Sequence, residues 1–220
     1  MSQKQNSRQL LIGSTCGILG TISYIVAITF QVTPAFGFLL ITIWSMASII
    51  FAFSIYKYIA IDKQSISNQL AFLFTIISFV LVYIMLSIQI GLKTGINDVI
   101  ERTSNSEKRL LMLILSSTDW IHLGIDLAWD MFLGVSLFLL SIAIKRHSKF
   151  GIQWSIPMVV LALSMIVINL YTFPYTPKSQ GIFDIGPLIG TFMIIFAARA
   201  MQISFQMKNS STSKIDTKTS

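Results

Sequence analysis

Six long apolar runs constrain the fold of this chain more than any other feature of its sequence. Each is about 20 residues or longer, the length that an α-helix needs to cross the roughly 30 Å hydrocarbon core of a bilayer. The runs cover Leu10–Phe30, Phe36–Ile61, Leu70–Leu92, Thr118–Ile144, Trp154–Phe173 and Ile185–Ser204. Because lipid offers the backbone no hydrogen-bond partners, a spanning segment must pair its own polar groups, as an α-helix does. The sequence therefore predicts an all-α polytopic integral membrane protein with a bundle of six transmembrane helices.

The composition agrees with this prediction. Of the 220 residues, 54% are hydrophobic and 11% are charged, whereas soluble domains carry about 25% charged residues. The formal net charge of +7 raises the question of nucleic-acid binding. However, the basic residues stand at the ends of the apolar runs and are not interleaved with aromatic residues on an exposed surface. We therefore expect contacts with membrane lipid headgroups and no nucleic-acid partner.

The distribution of lysine and arginine predicts the orientation in the cell membrane. Basic residues concentrate at the N-terminus, in the second and fourth loops and in the tail: Lys4, Arg8, Lys57, Lys63, Lys145, Arg146, Lys149, Lys208, Lys214 and Lys218. The first loop has none and the fifth has only Lys178, while acidic residues dilute the four basic residues of the third. The positive-inside rule then places both termini in the cytoplasm.

The N-terminal run also invites comparison with a cleaved signal peptide, because Lys4 and Arg8 precede it. Its apolar stretch exceeds the 7 to 15 residues typical of such signals, and no small-x-small cleavage site closes it. We therefore expect this run to be retained as the first membrane helix.

The third loop, Lys93–Ser117, carries a helix-start pattern. Ser104 and Glu107 have the spacing of a capping box ahead of the apolar run Leu110–Leu115. This predicts a short amphipathic helix on the outer membrane surface, or over the bundle as a lid. The domain prediction is a six-helix transmembrane domain over residues 1–207 and a polar, disordered cytoplasmic tail over residues 208–220.

The fourth run carries four ionisable side chains on one helical face. At 100° per residue, His122, Asp126 and Asp130 lie about 300°, 340° and 20° from Asp119. If Lys145 marks the cytoplasmic boundary, Asp130 lies about 7 Å inside the outer edge of the hydrocarbon. An aspartate at a helix centre costs about 2.5 to 3.5 kcal/mol on insertion, so we expect Asp130 to face protein or water and not lipid.

This stripe predicts an outward-facing acidic pocket that binds a small polar or cationic ligand, or a lipid headgroup. His122 is expected at its mouth and Asn169 is expected to meet Asp130. The candidate ligand-binding residues are Asp130, Asp126, His122, Asn169, Gln89 and Tyr171. The alternative is purely structural: the stripe starts the helix at the outer surface, and Asp130 forms a hydrogen bond across the bundle.

No sequence motif indicates a reaction, since GxSxG, HExxH, CxxC and Walker patterns are absent. We expect a non-enzymatic protein without a cofactor. We also expect no metal, because a zinc site needs three or four ligands and the other histidine, His147, stands in a loop on the opposite side. Two alternatives remain open: a small-solute transporter, proton-coupled through its intramembrane acids, and an intramembrane acid–base enzyme acting on a lipid. The weak polarity of the inner half argues against transport.

Two further features concern helix packing. Gly13, Gly17 and Gly20 form a small-residue face on the first helix, and Gly186 with Gly190 forms a GxxxG pattern on the sixth. Both predict close helix–helix contacts. Arg199, a cation within the sixth run, is expected to extend toward the cytoplasmic headgroups, not to pair with an acid of the outer half.

Overall fold

The computed structural model describes residues 3–216, and the regular secondary structure in that range is entirely helical. The helices are α1 (Gln3–Thr29), α2 (Pro34–Asp62), α3 (Ile66–Arg102), α4 (Asn105–Ile144), α5 (Ile152–Thr172) and α6 (Gly186–Asp216), with a 3₁₀ turn at Lys178–Gln180 before α6. Each of the six helices contains a segment long and apolar enough to cross a membrane. The predicted class, an all-α multi-pass membrane protein with a six-helix bundle, is confirmed.

The helices pack around a shared apolar core and leave other apolar side chains on the outer surface of the bundle. α1 packs against α2 and α6, α3 packs between α2 and α4, and α4 also contacts α5. The main core includes Phe51, Met158 and Phe196, and a second cluster joins Trp44 of α2 to Phe79 of α3. Many large apolar side chains are exposed along the bundle, as a surface in contact with acyl chains requires.

Helix starts follow local sequence signals. Pro34 opens α2, where its fixed φ is compatible with a first turn, and the Thr33 hydroxyl accepts a hydrogen bond from the Phe36 amide. The Ser65 hydroxyl accepts one from the Asn68 amide at the start of α3. These side chains satisfy backbone N–H groups that have no partner inside the helix.

The α3–α4 connection differs from the prediction. α3 has 37 residues and α4 has 40, which corresponds to about 55 Å and 60 Å of helix. Ser104 begins a helix as predicted, and its hydroxyl donates to the Glu107 carboxylate at 2.7 Å. The apolar run Leu110–Leu115 is not a separate short helix, however, because no glycine or proline interrupts the chain before Thr118 and α4 continues through it.

α6 likewise continues past residue 207, where the sequence predicts the end of the membrane domain, and ends at Asp216. The predicted disordered tail therefore begins, over residues 208–216, as helical backbone. Its last four positions, 217–220, lie outside the described residues.

Both ends of the described chain lie on one side of the bundle. The Ser7 hydroxyl donates to the Ser204 carbonyl at 2.9 Å, and the Ser204 hydroxyl donates to the Ser7 carbonyl at 2.7 Å. His147, between α4 and α5, places Nε2 3.2 Å from Asp62 Oδ2 at the end of α2. We call this side the basic end; the α1–α2, α3–α4 and α5–α6 connections form the opposite, acidic end.

The basic end contains a buried histidine, His147, and a half-buried arginine, Arg199. Burial lowers the pKa of His147; the nearby Asp62 carboxylate opposes this shift and Lys149 adds to it, so the imidazole is neutral at pH 7. Arg199 donates to the Lys149 carbonyl at 2.9 Å and to Gln202 at 2.6 Å. As expected, Arg199 lies at the basic end and does not pair with an acid of the other half.

The glycine face of α1 lies against α2. A Cβ at Gly13 would overlap the Ser54 hydroxyl, and one at Gly17 would stand 2.8 Å from the Phe51 ring. This confirms the close packing predicted for α1. The prediction for α6 is wrong at Gly190, where a Cβ would meet no described atom within 4 Å, since the local spacing of two glycines does not show which face of a helix meets a neighbour.

Matched alanine substitutions test this difference between the two glycines. Gly13→Ala should lower the melting temperature of the purified protein, because the added methyl group forces α1 and α2 apart; overpacking typically costs about 1 to 3 kcal/mol. Gly190→Ala should leave it unchanged or raise it, since alanine favours a helix over glycine by about 1 kcal/mol. Equal effects of the two changes would contradict the described α1–α2 packing.

Candidate functional site

The acidic stripe of α4 lies in the half of the bundle toward the acidic end. Asp130 and Asp126 stand about 22 Å and 28 Å along the helix from Lys145, and both are half-buried among neighbouring helices. Asp119, further toward the end of the bundle, is exposed. The stripe therefore passes from solvent-accessible positions into the interior, as expected from its depth in the sequence.

Asn169 of α5 faces Asp130. Its side chain lies near enough to the Asp130 carboxyl to interact with it, and its Nδ2 donates to the Met165 carbonyl at 2.9 Å. An asparagine amide has two N–H donors, so one can hold the side chain to its own helix while the other meets the acid. Asn169 is therefore near the acid that the sequence pairs it with.

A third acid, Asp184, joins the stripe from the loop before α6. It lies close enough to Asp126 and Asp130 for their charges to interact. Its Oδ1 accepts a hydrogen bond from the Gly186 amide at 2.8 Å, which holds the side chain at the start of α6. We call Asp126, Asp130 and Asp184 the acidic cluster. Within the described part of the chain, no lysine, arginine or histidine nitrogen lies within 4.0 Å of these three carboxyl groups.

Asp184 is not among the site residues that the sequence predicts. The available signal was its position: it is the one acidic residue between α5 and α6, two residues before Gly186 and Pro187. That pattern is typical of the start of a helix, and the Asp184 side chain does accept a hydrogen bond from the first amide of α6. Nothing local indicates that the loop folds back over α4, because this depends on how α5 and α6 are placed.

Aromatic side chains lie in the same part of the bundle as the acidic cluster. Tyr24 of α1 lies within electrostatic reach of all three carboxyl groups. Its ring stacks on Trp44 of α2 with centroids 4.0 Å apart, and the edge of Trp129 of α4 meets Trp44 at 6.2 Å. The buried indole N–H of Trp129 has no hydrogen-bond partner in the structure. We call these three side chains the aromatic wall.

Two other predicted site residues, His122 and Gln89, lie outside the acidic cluster. His122 is 8% exposed; its Nδ1 lies 4.0 Å from Asp119 and its Nε2 has no hydrogen-bond partner. It is thus enclosed by protein and does not stand at an open mouth. Gln89 is half-buried on α3, and among the described residues it forms no hydrogen bond with the acidic cluster.

Tyr171 is not part of this arrangement, because its side chain is 80% exposed on the surface of the bundle. It follows Asn169 by two positions, which turns a helix by about 200°. If Asn169 faces Asp130, Tyr171 must therefore face away. The prediction that Tyr171 lines the pocket is therefore wrong. Helix geometry alone, which can be read from the sequence, excludes it.

A small cavity lies on the basic side of the acidic cluster, among α2, α3, α4 and α6. Its volume is about 40 Å³ and its lining includes Ser48, Asn68, Thr75 and Ser136 among apolar side chains. The Thr75 and Ser136 hydroxyls are 2.6 Å apart. Asn68 is 1% exposed and its Oδ1 has no hydrogen-bond partner. The lining of this cavity in the inner half of the bundle is thus mainly apolar, with a few polar groups.

Within the described residues, no three histidine, cysteine, aspartate or glutamate side chains lie close enough to hold one metal ion. Comparison of the chain with known protein families, with curated proteins and with solved structures finds no match. A functional interpretation therefore rests on the chemistry of the acidic cluster and its neighbours.

Proposed function

We propose that this membrane protein binds a small organic cation, an ammonium compound, at the acidic cluster. The observation that carries the proposal is the grouping of Asp126, Asp130 and Asp184 without a basic partner among the described residues. Carboxylates that share a site repel one another when ionised. A bound cation removes this repulsion, and its attraction to the carboxylates is stronger in a partly buried site than in water.

The aromatic wall favours an ammonium group as the ligand. Tyr24 lies within electrostatic reach of all three acids and stacks on Trp44. The face of an aromatic ring attracts an ammonium group within about 6 Å and contributes about 0.5 to 2 kcal/mol. Carboxylates beside aromatic rings thus provide both charge and surface for an alkylated nitrogen. The ammonium headgroup of a zwitterionic lipid presents the same chemistry as a soluble ammonium compound.

Choline and its neutral isostere, in which carbon replaces nitrogen, test this proposal. Wild-type protein in detergent should bind choline in calorimetric titration and should bind the isostere at least tenfold more weakly. Asp130→Asn should weaken choline binding about tenfold, which corresponds to about 1.4 kcal/mol. Asp184→Asn, which retains the helix cap, should weaken it as well.

Asp119→Asn is the matched control, because it removes the same charge from an exposed position of the same helix. It should leave choline affinity unchanged. Equal binding of choline and the isostere, or equal losses in Asp119→Asn and Asp130→Asn, would refute an ammonium site at the acidic cluster.

A second candidate function is transport of the cation, coupled to protons. The observation that favours it is the cavity between the acidic cluster and the basic end, whose largely apolar lining includes the unpaired Asn68 Oδ1 and the paired Thr75 and Ser136 hydroxyls. A volume of about 40 Å³ exceeds the 10 to 15 Å³ that a single water needs. Protonatable acids within a span are typical of proton-coupled carriers.

Uptake of radiolabelled choline into proteoliposomes under an imposed proton gradient separates transport from binding. A transporter should give uptake that collapses when the gradient is dissipated, with a several-fold loss in Asp130→Asn and a smaller loss in Ser136→Ala. Uptake no greater than in protein-free vesicles, in a preparation that still binds choline, would reject transport and leave the binding site in place.

We further propose that the acidic end faces the outside of the cell membrane and that both termini are cytoplasmic. Of the 16 lysine and arginine residues, the acidic end holds Lys93, Arg102, Lys108, Arg109 and Lys178; of the nine acids, the basic end holds Asp62 and Asp216. This asymmetry supports the orientation, since positively charged loops remain on the cytoplasmic side. The acidic cluster would then open outward.

Labelling of single cysteines tests this orientation. In a Cys16→Ser background, which removes the one native cysteine, Ser148→Cys and Ser179→Cys place a thiol in the exposed α4–α5 and α5–α6 connections. A membrane-impermeant maleimide added to intact cells should label Ser179→Cys and should reach Ser148→Cys only after the cells are opened. The reverse pattern would show that the acidic cluster faces the cytoplasm.

A further inference from the structure

A second polar recess lies at the basic end, between α1 and α2, far from the acidic cluster. Its volume is about 240 Å³, several times the roughly 30 Å³ that one water occupies in the liquid. The residues that line it are Asn6, Gln9, Ser54, Lys57, Tyr58 and Ile61. None of the functions considered above uses this recess.

The lining is chemically suited to an anion. Asn6 and Gln9 are three residues apart and share one face of α1, where their amides provide N–H donors. Lys57 contributes an ammonium group from α2. The Ser54 hydroxyl already donates to the Ile50 carbonyl at 3.0 Å, so it offers only acceptor capacity. The lining contains no carboxylate, and nothing in it would repel a negative charge.

The recess lies at the depth of lipid headgroups. Asn6 is in the second turn of α1, and Lys57 is within two turns of the end of α2 at Asp62. Toward the middle of the membrane, the close approach of Gly13 to Ser54 leaves no space between the two helices. The recess is therefore closed toward the bilayer centre and can be entered from the headgroup region.

The surface next to the recess can accommodate acyl chains. Ile12 on α1 and Ile50 and Phe53 on α2 are exposed large apolar side chains within three turns of the recess. The Lys57 ammonium lies 5.5 Å from the centre of the Phe53 ring, so the lysine stem follows apolar surface while its charge remains at the headgroup level, as expected for lysine at a membrane interface. A charged headgroup and its chains would thus meet matching surfaces.

We propose that the recess binds the phosphate group of an anionic phospholipid. Lys57 supplies the charge, the Asn6 and Gln9 amides donate hydrogen bonds to phosphate oxygens, and the acyl chains lie against the exposed apolar side chains of α1 and α2. Arg8, exposed on α1 near the recess, adds to the positive potential that attracts anionic lipid. Free phosphate has the same charged group but lacks the chains, and the experiment below distinguishes the two.

The test is native mass spectrometry and thermal unfolding of the full-length protein in detergent, with phosphatidylglycerol, phosphatidylcholine or inorganic phosphate added at equal concentration. Wild-type protein should retain one phosphatidylglycerol molecule and melt at a higher temperature in its presence, with smaller effects of phosphatidylcholine and none of inorganic phosphate. Lys57→Gln should reduce the affinity for phosphatidylglycerol about tenfold. Gln9→Leu, which alters no charge, should also reduce it.

Lys63→Gln is the control, because it removes the same charge just beyond the end of α2 and outside the lining. It should bind phosphatidylglycerol as wild type does. Wild-type affinity in Lys57→Gln, or equal retention of the two lipids, would overturn the proposal; equal protection by inorganic phosphate would overturn the assignment to a lipid. Choline binding, measured on the same variants, should be unaffected and reports separately on the acidic cluster.

Discussion

The hydrocarbon core of a membrane cannot hydrate a polar group, and the structure of this chain depends on that single constraint. Backbone groups are paired within six helices. Hydroxyl side chains in the spans donate a hydrogen bond to the backbone carbonyl one turn earlier in the same helix. Ser14 donates to Leu10 at 2.7 Å and Thr21 donates to Gly17 at 2.9 Å. Groups that cannot be satisfied by their own helix must face the interior of the bundle.

The acidic cluster is the most demanding case of this constraint. Asp130 lies near Asn169 of α5, but its other neighbours include two more acids and no described base. A purely structural aspartate would need only the hydrogen bond across the bundle. The Asp184 carboxyl, held in place by its hydrogen bond to the first amide of α6, adds a third acid near the aromatic wall. Packing alone does not require this additional negative charge, and for that reason we propose a cationic ligand.

The two ends of the bundle differ in the charge of the groups that they leave without an oppositely charged partner. At the basic end, Arg199 binds the Lys149 carbonyl and His147 approaches Asp62, so charged groups are used to join loops and helix ends. The recess beside Lys57 is the exception, because its donors have no acidic counterpart in the lining. At the acidic end, the uncompensated groups are carboxylates. The two proposed ligands would thus each carry the charge opposite to that of the unpaired groups at their end of the bundle.

The sequence by itself determined the six helices, the common face of the α4 acids and the depth at which Asp130 needs a partner. These properties follow from the length of each apolar run and from the rotation of 100° and the rise of 1.5 Å per residue in an α-helix, all of which are local. The rise and rotation of a helix also identified Asn169 as a candidate partner of Asp130. Applied to the position two residues later, the same rotation would have excluded Tyr171 from the predicted site. The continuity of α4 through Leu110–Leu115 was also readable from the lack of a helix-breaking residue.

Only the tertiary structure decided which faces meet. Gly13 and Gly190 have similar local surroundings in the sequence, yet a Cβ added at Gly13 would overlap Ser54 and one added at Gly190 would meet no described atom within 4 Å. Asp184 reads as a helix cap and becomes part of the acidic cluster only because the α5–α6 connection passes over α4. Contacts between elements depend on the rotation and separation of whole helices, which are set by the packing of many side chains at once and by no single segment.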